Sequence, residues 1–153
     1  MLEQIFKNRN IEDAYHYLHT TDNDIIDPLK LDNMHEGAKM LIKHIGNKNN
    51  IFIQVDADCD GYTSAAILLN YLHKICPYFT ENNIYYAFHN AKSHGINFDN
   101  FPKEVDIKLV IAPDSSSNQK EEHIKLQEQG IDVLVIDHHH STETGSPACI
   151  INN

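Results

Sequence analysis

From residue 50 onward, short apolar runs alternate with helical stretches, whereas residues 1–50 carry mostly helical periodicity. Ile11, Tyr15 and Leu18 fall on one face of a short helix. Asp32 stands where it can cap a longer helix, whose apolar stripe is Met34, Ala38, Leu41, Ile42 and Ile45. Gly46 and the polar Asn47-Lys48-Asn49-Asn50 end it. The runs at 51–55, 84–88, 109–112 and 132–136 are short and apolar, and most are rich in β-branched residues, the pattern of buried strands. A fifth begins at 148–151. A helix over 63–75 follows the first run, apolar nearly all round and therefore central, and Pro77 stops it. A long loop spans 89–100. Asn118 with Glu121 reads as a capping box opening a helix that Gly130 closes. The alternation predicts an α/β fold: a parallel sheet of about five strands flanked by helices, with a helical N-terminal lead-in. The expected division is 1–50 for the lead-in and 51–153 for the α/β core.

Parallel sheets bind ligands beyond the carboxyl ends of their strands. The first strand runs into Asp56-Ala57-Asp58-Cys59-Asp60-Gly61, the third into Asp114-Ser115-Ser116-Ser117, and the fourth into Asp137-His138-His139-His140. In extended backbone Asp56, Asp58 and Asp60 point the same way. Carboxylates this close repel and raise one another's pKa unless a cation neutralises them. Oxygen donors with one or two imidazoles suit Mn²⁺ or Mg²⁺ better than zinc or copper. Two such ions about 3.5–4 Å apart can clamp a phosphate and generate hydroxide. Gly61 permits close backbone approach ahead of a helix N-terminus that favours anions. Each motif alone has a plainer reading: a solvated or calcium-like loop for 56–60, a helix cap for Asp114, a surface cluster for 138–140. Their occurrence at three strand ends favours a metal site.

Composition narrows the picture. Of 153 residues 41% are hydrophobic and 22% charged, which suits a packed core rather than a disordered chain. No apolar run approaches the roughly 18–20 residues of a membrane span, so no membrane partner is expected. The N-terminus lacks the charged-then-apolar pattern of a signal peptide. Twelve basic against 22 acidic residues give a net charge of −10, which disfavours phosphate-backbone binding by the surface alone. A bound metal changes that locally. Cys59, Cys76 and Cys149 are few and widely spaced, so neither a disulfide framework nor a zinc site is expected, and a reducing, cytoplasmic setting fits. Cys59 reads as a packing or loop residue, not a nucleophile.

The strand-end motifs resemble those of the DHH phosphoesterase superfamily, and within it the RecJ-like single-strand exonucleases. Asp137-His138-His139 is the namesake motif, Asp56-x-Asp58-x-Asp60-Gly61 is similar to the RecJ form of the first motif, and Asp114 to the single Asp of the second. Arg9-Asn10-Ile11, Asp27-Pro28-Leu29 and Asp32-Asn33-Met34 resemble the helical lead-in, and Ser93-His94-Gly95-Ile96-Asn97 the Gly-rich loop after the second strand. The resemblance implies a Rossmann-like DHH domain holding two Mn²⁺ or Mg²⁺ ions. Asp56 then binds the first ion, Asp58 the second, and Asp114 bridges them. His138 ligates the second ion, and His139 contacts the scissile phosphate or helps hold the site. Asp137 orients the histidines, Asp60 supports the site from behind the ligands, and His140 carries no role. The implied activity is 5′→3′ removal of nucleotides from single-stranded DNA or a short oligonucleotide. Protein partners stay open.

The chain departs from the family pattern in three places. Residues 51–54 lack the metal-binding His often found upstream of the first Asp, which leaves the first ion a ligand short. Ser116 stands where the second motif usually has Gly. The chain ends at Asn153, before a later metal-binding Asp and a substrate-gripping second domain, and so reads as the front half of a catalytic domain. Two other functions stay open at this point: a phosphodiesterase of dinucleotides or cyclic dinucleotides, and an inactive scaffold in replication or repair.

Overall fold

Five short strands pair in the order β2-β1-β3-β4-β5. They are β1 (Asn50–Val55), β2 (Ile84–Phe88), β3 (Ile107–Pro113), β4 (Asp132–Asp137) and β5 (Cys149–Asn152). Every neighbouring pair is parallel, as expected for an α/β sheet. The computed structural model describes residues 2–89 and 93–152. Residues 90–92, inside the loop expected over 89–100, lie outside the described residues.

The strands read as continuous apolar runs because both sheet faces are covered. Successive side chains point to opposite faces. One face sets Ile51, Ile53, Leu109 and Ile111 against Leu41, Ile45, Leu68 and Leu69, from the helices α3 (Met34–Gly46) and α4 (Cys59–Ile75). The other packs Phe52, Val110, Val133 and Val135 with Leu126 of α6 (Lys120–Glu128) and with Phe101. β2 and β3 lie on opposite sides of β1, so the order reverses there and opens a crevice at the carboxyl ends.

Several helix ends differ from expectation. Asp32 does not cap α3; Asn33 does, with φ +61°, and its carboxamide donates to the Ile150 carbonyl of β5 instead of to its own helix. α4 begins at Cys59 rather than near 63, because Asp58 caps it by accepting from Gly61 N. Pro77 ends α4 and also opens a helix the sequence did not announce, α5 (Pro77–Asn83), where its missing N–H costs nothing. Asn118 is not a cap. Its side chain donates to His140 O and accepts from Thr142 N, and α6 starts after Gln119 without a side-chain cap. Gly130, at φ +72°, follows the end of α6 as expected.

The chain divides into two compact units, Met1–Lys30 and Leu31–Asn153. α3 packs on the sheet, so the lead-in expected over 1–50 is shared between them. The first unit carries α1 (Leu2–Asn8) and α2 (Ala14–Leu18). Of the three residues expected on one helix face, Tyr15 and Leu18 lie in α2 and are exposed, and Ile11 precedes the helix. Among the described residues no helix is long and apolar enough to cross a membrane.

Candidate metal centre

Asp56 leaves β1 almost fully buried and accepts from Ala57 N at 2.9 Å. The chain then turns into α4. The three aspartates therefore do not alternate along an extended strand: Asp58 is the helix cap and Asp60 sits in the first helical turn. They converge because the N-terminus of α4 folds back onto Asp56. Gly61 makes that approach possible, since a Cβ there would lie 2.7 Å from Asp56 Cβ and 2.8 Å from its carbonyl oxygen. The Gly61 N–H, ahead of every other influence, holds Asp58 below the usual carboxylate range.

β3 ends in a strained corner. Asp114 and Ser116 have φ of +69° and +84°, the left-handed region that side chains avoid. A hydrogen bond from Asp114 N to Ile136 O, 2.7 Å, holds the corner against β4. Asp114 is buried, with Oδ1 3.0 Å from His138 Nε2 and with no partner for Oδ2 among the described residues. Burial, followed by the charges of Asp60 and Asp58, raises its pKa. Asp58, Asp60 and Asp114 offer oxygens within 4.8 Å of one another, as do donors of Asp114, His138 and His139. His138 Nε2 also lies 3.6 Å from Asp60 Oδ2. A buried, unpartnered carboxylate oxygen among mutually repelling carboxylates and an imidazole fits a divalent cation of the Mn²⁺ or Mg²⁺ class.

Asp137 serves its neighbours rather than the cluster. Its Oδ1 accepts from the backbone N–H of His138 and His139 and from His139 Nδ1, and its Oδ2 accepts from Ser117 N. Burial pushes its pKa up, but these bonds outweigh that and hold it at about 2. The ionised carboxylate raises the His139 pKa through their hydrogen bond.

The third donor group was not foreseen. His94, from the loop after β2, places Nδ1 2.8 Å from Asp56 Oδ2, and Asp56, Asp58 and His94 together offer donors within 4.8 Å. The hydrogen bond to Asp56 raises its pKa. The available signal was a histidine directly before Gly95 at a strand's carboxyl end. A cleft of about 390 Å³ runs beside the cluster, lined by Asp56, His94, Ser115, Asn118, Asp137 and His139. His140 is exposed, and its carbonyl only receives Asn118.

Residues 50–153, which include this whole cluster, match the DHH family, N-terminal domain. The chain belongs to the DHH family. The namesake residues are Asp137, His138 and His139, and their division of labour here is one orienting carboxylate and two imidazoles. Among DHH relatives, YorK of Bacillus subtilis, named provisionally as a prophage-derived single-strand DNA-specific exonuclease, is 44% identical over 152 residues, or 99% of this chain and 26% of YorK. The single-stranded-DNA-specific exonuclease RecJ of Bacillus subtilis is 32% identical over 130 residues, covering 84% of this chain and 16% of RecJ. The chain spans between 16% and 26% of the length of the curated relatives it matches. The fold is shared with exonuclease RecJ bound to manganese (TM-score 0.69, 23% identity, 84% of this chain and 33% of that one). It is also shared with Thermus thermophilus RecJ in complex with Mn²⁺ (TM-score 0.67, 21% identity, 96% and 20%).

Proposed function

We propose that this DHH chain carries the metal-binding half of a RecJ-like phosphodiesterase, which removes nucleotides 5′→3′ from single-stranded DNA. The observation that carries the reading is the convergence of Asp58, Asp60 and His138 on Asp114, whose buried Oδ2 has no partner among the described residues. Mn²⁺ is the preferred ion, because both RecJ structures that share the fold hold manganese; Mg²⁺ is the alternative.

Asp56, Asp58, Asp114 and His138 are the proposed ligands, and the geometry adds Asp60 to them. Bound there, two divalent ions supply charge neutralisation for the phosphate and a water of lowered pKa. The protein supplies the rest. Asp137 fixes the His139 ring through Nδ1 and favours its protonated form, in which Nε2 can donate to a phosphate oxygen. The strained corner, tied to β4, fixes the Asp114 carboxylate beside Asp58 and Asp60. The net charge of −10 gives no basic track for a DNA backbone. The exposed ring of Phe88 lies against those of Tyr62 and Tyr86, with Phe88 paired in register to Val55, and the three offer bases a stacking surface next to the site. Free thiols at Cys59, Cys76 and Cys149 suit a reducing compartment, so the reading extends to a cytoplasmic protein of DNA repair.

The test offers 5′-phosphorylated single-stranded DNA and a dinucleotide to this chain and to Asp58→Ala, with Mn²⁺. Mononucleotide release from DNA, lost in the variant, supports the reading. Cleavage of the dinucleotide alone moves the chain to small substrates. Cleavage of neither, with Mn²⁺ still bound, leaves catalysis dependent on further protein or points to a scaffold.

A further inference from the structure

We infer that His94 is the nitrogen ligand of the cation held by Asp56 and Asp58. The inference rests on the divalent-metal reading above and adds a ligand from an element outside the strand-end motifs. β1 cannot provide that nitrogen. Ile51, Phe52, Ile53 and Val55 are spent in the two cores. Gln54 is buried with its amide committed, donating to Ala87 O and accepting from Asn100 Nδ2.

His94 approaches from the opposite side, over the end of β2. Its Nδ1 lies 2.8 and 3.1 Å from the two Asp56 oxygens. Adjacent ligands of an octahedral ion with bonds of about 2.1 Å stand about 3.0 Å apart. The His94–Asp56 separation of 2.8 Å fits that edge, as does the 3.0 Å between His138 and Asp114 on the other side of Asp58. The loop is also pinned directly after His94. Gly95 has φ +77° and no room for a side chain against the Gln119 carboxamide. Ile96 N donates to Gln119 Oε1 at 2.6 Å, and His89 Nε2 donates to Gly95 O at 2.6 Å. The buried Asp114 Oδ2, with no partner among the described residues, independently indicates a cation in the carboxylate cluster that Asp58 shares with His94.

A hydrogen-bond partner of Asp56 and a true ligand differ in one consequence. Imidazole favours Mn²⁺ over Mg²⁺, which prefers oxygen ligands. Removing a ligand nitrogen therefore weakens Mn²⁺ more than Mg²⁺, whereas removing a hydrogen bond to Asp56 weakens both alike. The experiment is calorimetric titration of the metal-free full chain, His94→Ala and His94→Asp with Mn²⁺ and with Mg²⁺. Thermal melts without metal establish that each variant is folded. Two Mn²⁺ ions are expected for the wild type. His94→Ala is expected to weaken one of them by roughly tenfold or more, the scale on which residues around a metal act, with a much smaller loss of Mg²⁺. His94→Asp, which substitutes an oxygen, is expected to keep the ion and lose the preference for Mn²⁺. Equal weakening of both metals in His94→Ala, or none, overturns the inference and leaves the metal reading standing. A wild type that binds no Mn²⁺ overturns both.

Discussion

His139 Nδ1 lies 2.7 Å from Asp137 Oδ1, an oxygen that also accepts the backbone N–H groups of His138 and His139. One carboxylate thus fixes the chain direction and the ring of the namesake motif together. Asp137→Asn removes the charge while keeping the shape, and is expected to lower activity or metal affinity roughly 10–100-fold, as loss of an orienting partner does. The His139 pKa should fall in the same variant, which NMR titration of the ring protons checks. The stability effect has a definite sign. The folded-state pKa of Asp137 is about 2, below its ordinary 3.8. Its contribution is therefore present above pH 4 and lost as pH falls toward 2, by about 2 kcal/mol. Urea melts between pH 5 and pH 2 should show a shallower acid loss in Asp137→Asn than in the wild type.

Ser116 holds φ +84° where the family pattern favours Gly, and a serine there carries about 1 kcal/mol of backbone strain. Its hydroxyl donates to Gln119 Oε1 at 2.7 Å and lies 3.0 Å from His123 Nε2. His123 is fully buried, and an unsatisfied buried group costs about 1–3 kcal/mol. The loss exceeds the relief. Ser116→Gly is expected to destabilise by about 1 kcal/mol, and a higher melting temperature in the variant would show that strain dominates.

The strands were legible because a parallel strand covered on both faces admits almost only apolar residues, so Ile51 to Val55 and Val133 to Ile136 stand out in one dimension. The clustering of Asp56, Asp58, Asp114 and His138 followed from placing polar residues just beyond such strands. What stayed hidden depends on contacts across the fold. Asn118 has the sequence context of a cap, but the segment after His140 competes for its carboxamide and wins. Asp58 caps α4 and faces the cluster at once, which shifts the helix start by a full turn. His94 reaches Asp56 only because Gly95 closes against Gln119, 24 residues away in sequence, and no local pattern reports that pairing.

Protonation of His123 is expected to limit stability on the acid side of neutrality. The ring is buried between Ser116 Oγ and Ser146 Oγ, and burial lowers its pKa. The unfolded chain therefore binds this proton more readily than the folded one. Stability is complete above about pH 6.5 and declines as pH falls below it toward the folded value. The raised pKa values of His94 and His139 act in the opposite direction over this window, so the check is a difference: from pH 7.5 to pH 5.5 the denaturant midpoint of the wild type should fall relative to that of His123→Gln. An unchanged difference would assign any acid loss to other groups.

Gly61→Ala tests whether the close approach of α4 to β1 builds the cluster. The added methyl meets both Cβ and the carbonyl of Asp56, and neither is the free end of a flexible side chain. Overpacking of this kind costs about 1–3 kcal/mol. The helix must also move away, carrying the Asp58 cap and Asp60 from Asp114. Both the melting temperature and Mn²⁺ affinity are expected to fall. A variant that loses stability alone would separate the packing from the site.

Stacking rather than charge is expected to hold the nucleic acid on this part of the molecule. Tyr62 and Phe88 rings lie 5.3 Å apart and Phe88 and Tyr86 rings 5.8 Å apart, each about half exposed. Phe88 ends the edge strand β2, and Tyr62 stands in the first turns of the helix that carries Asp58 and Asp60. A base stacked on an aromatic side chain contributes about 1–3 kcal/mol. Tyr62→Ala/Phe88→Ala is therefore expected to weaken a short oligothymidylate tenfold or more, on the order of one stacked base, with Mn²⁺ affinity unchanged. Because few phosphates are neutralised by a surface of net charge −10, the remaining affinity should vary little with salt. Fluorescence anisotropy at two ionic strengths reads both quantities. A steep salt dependence with no loss in the double variant would place the DNA on a basic surface elsewhere and leave these rings as a docking face for protein.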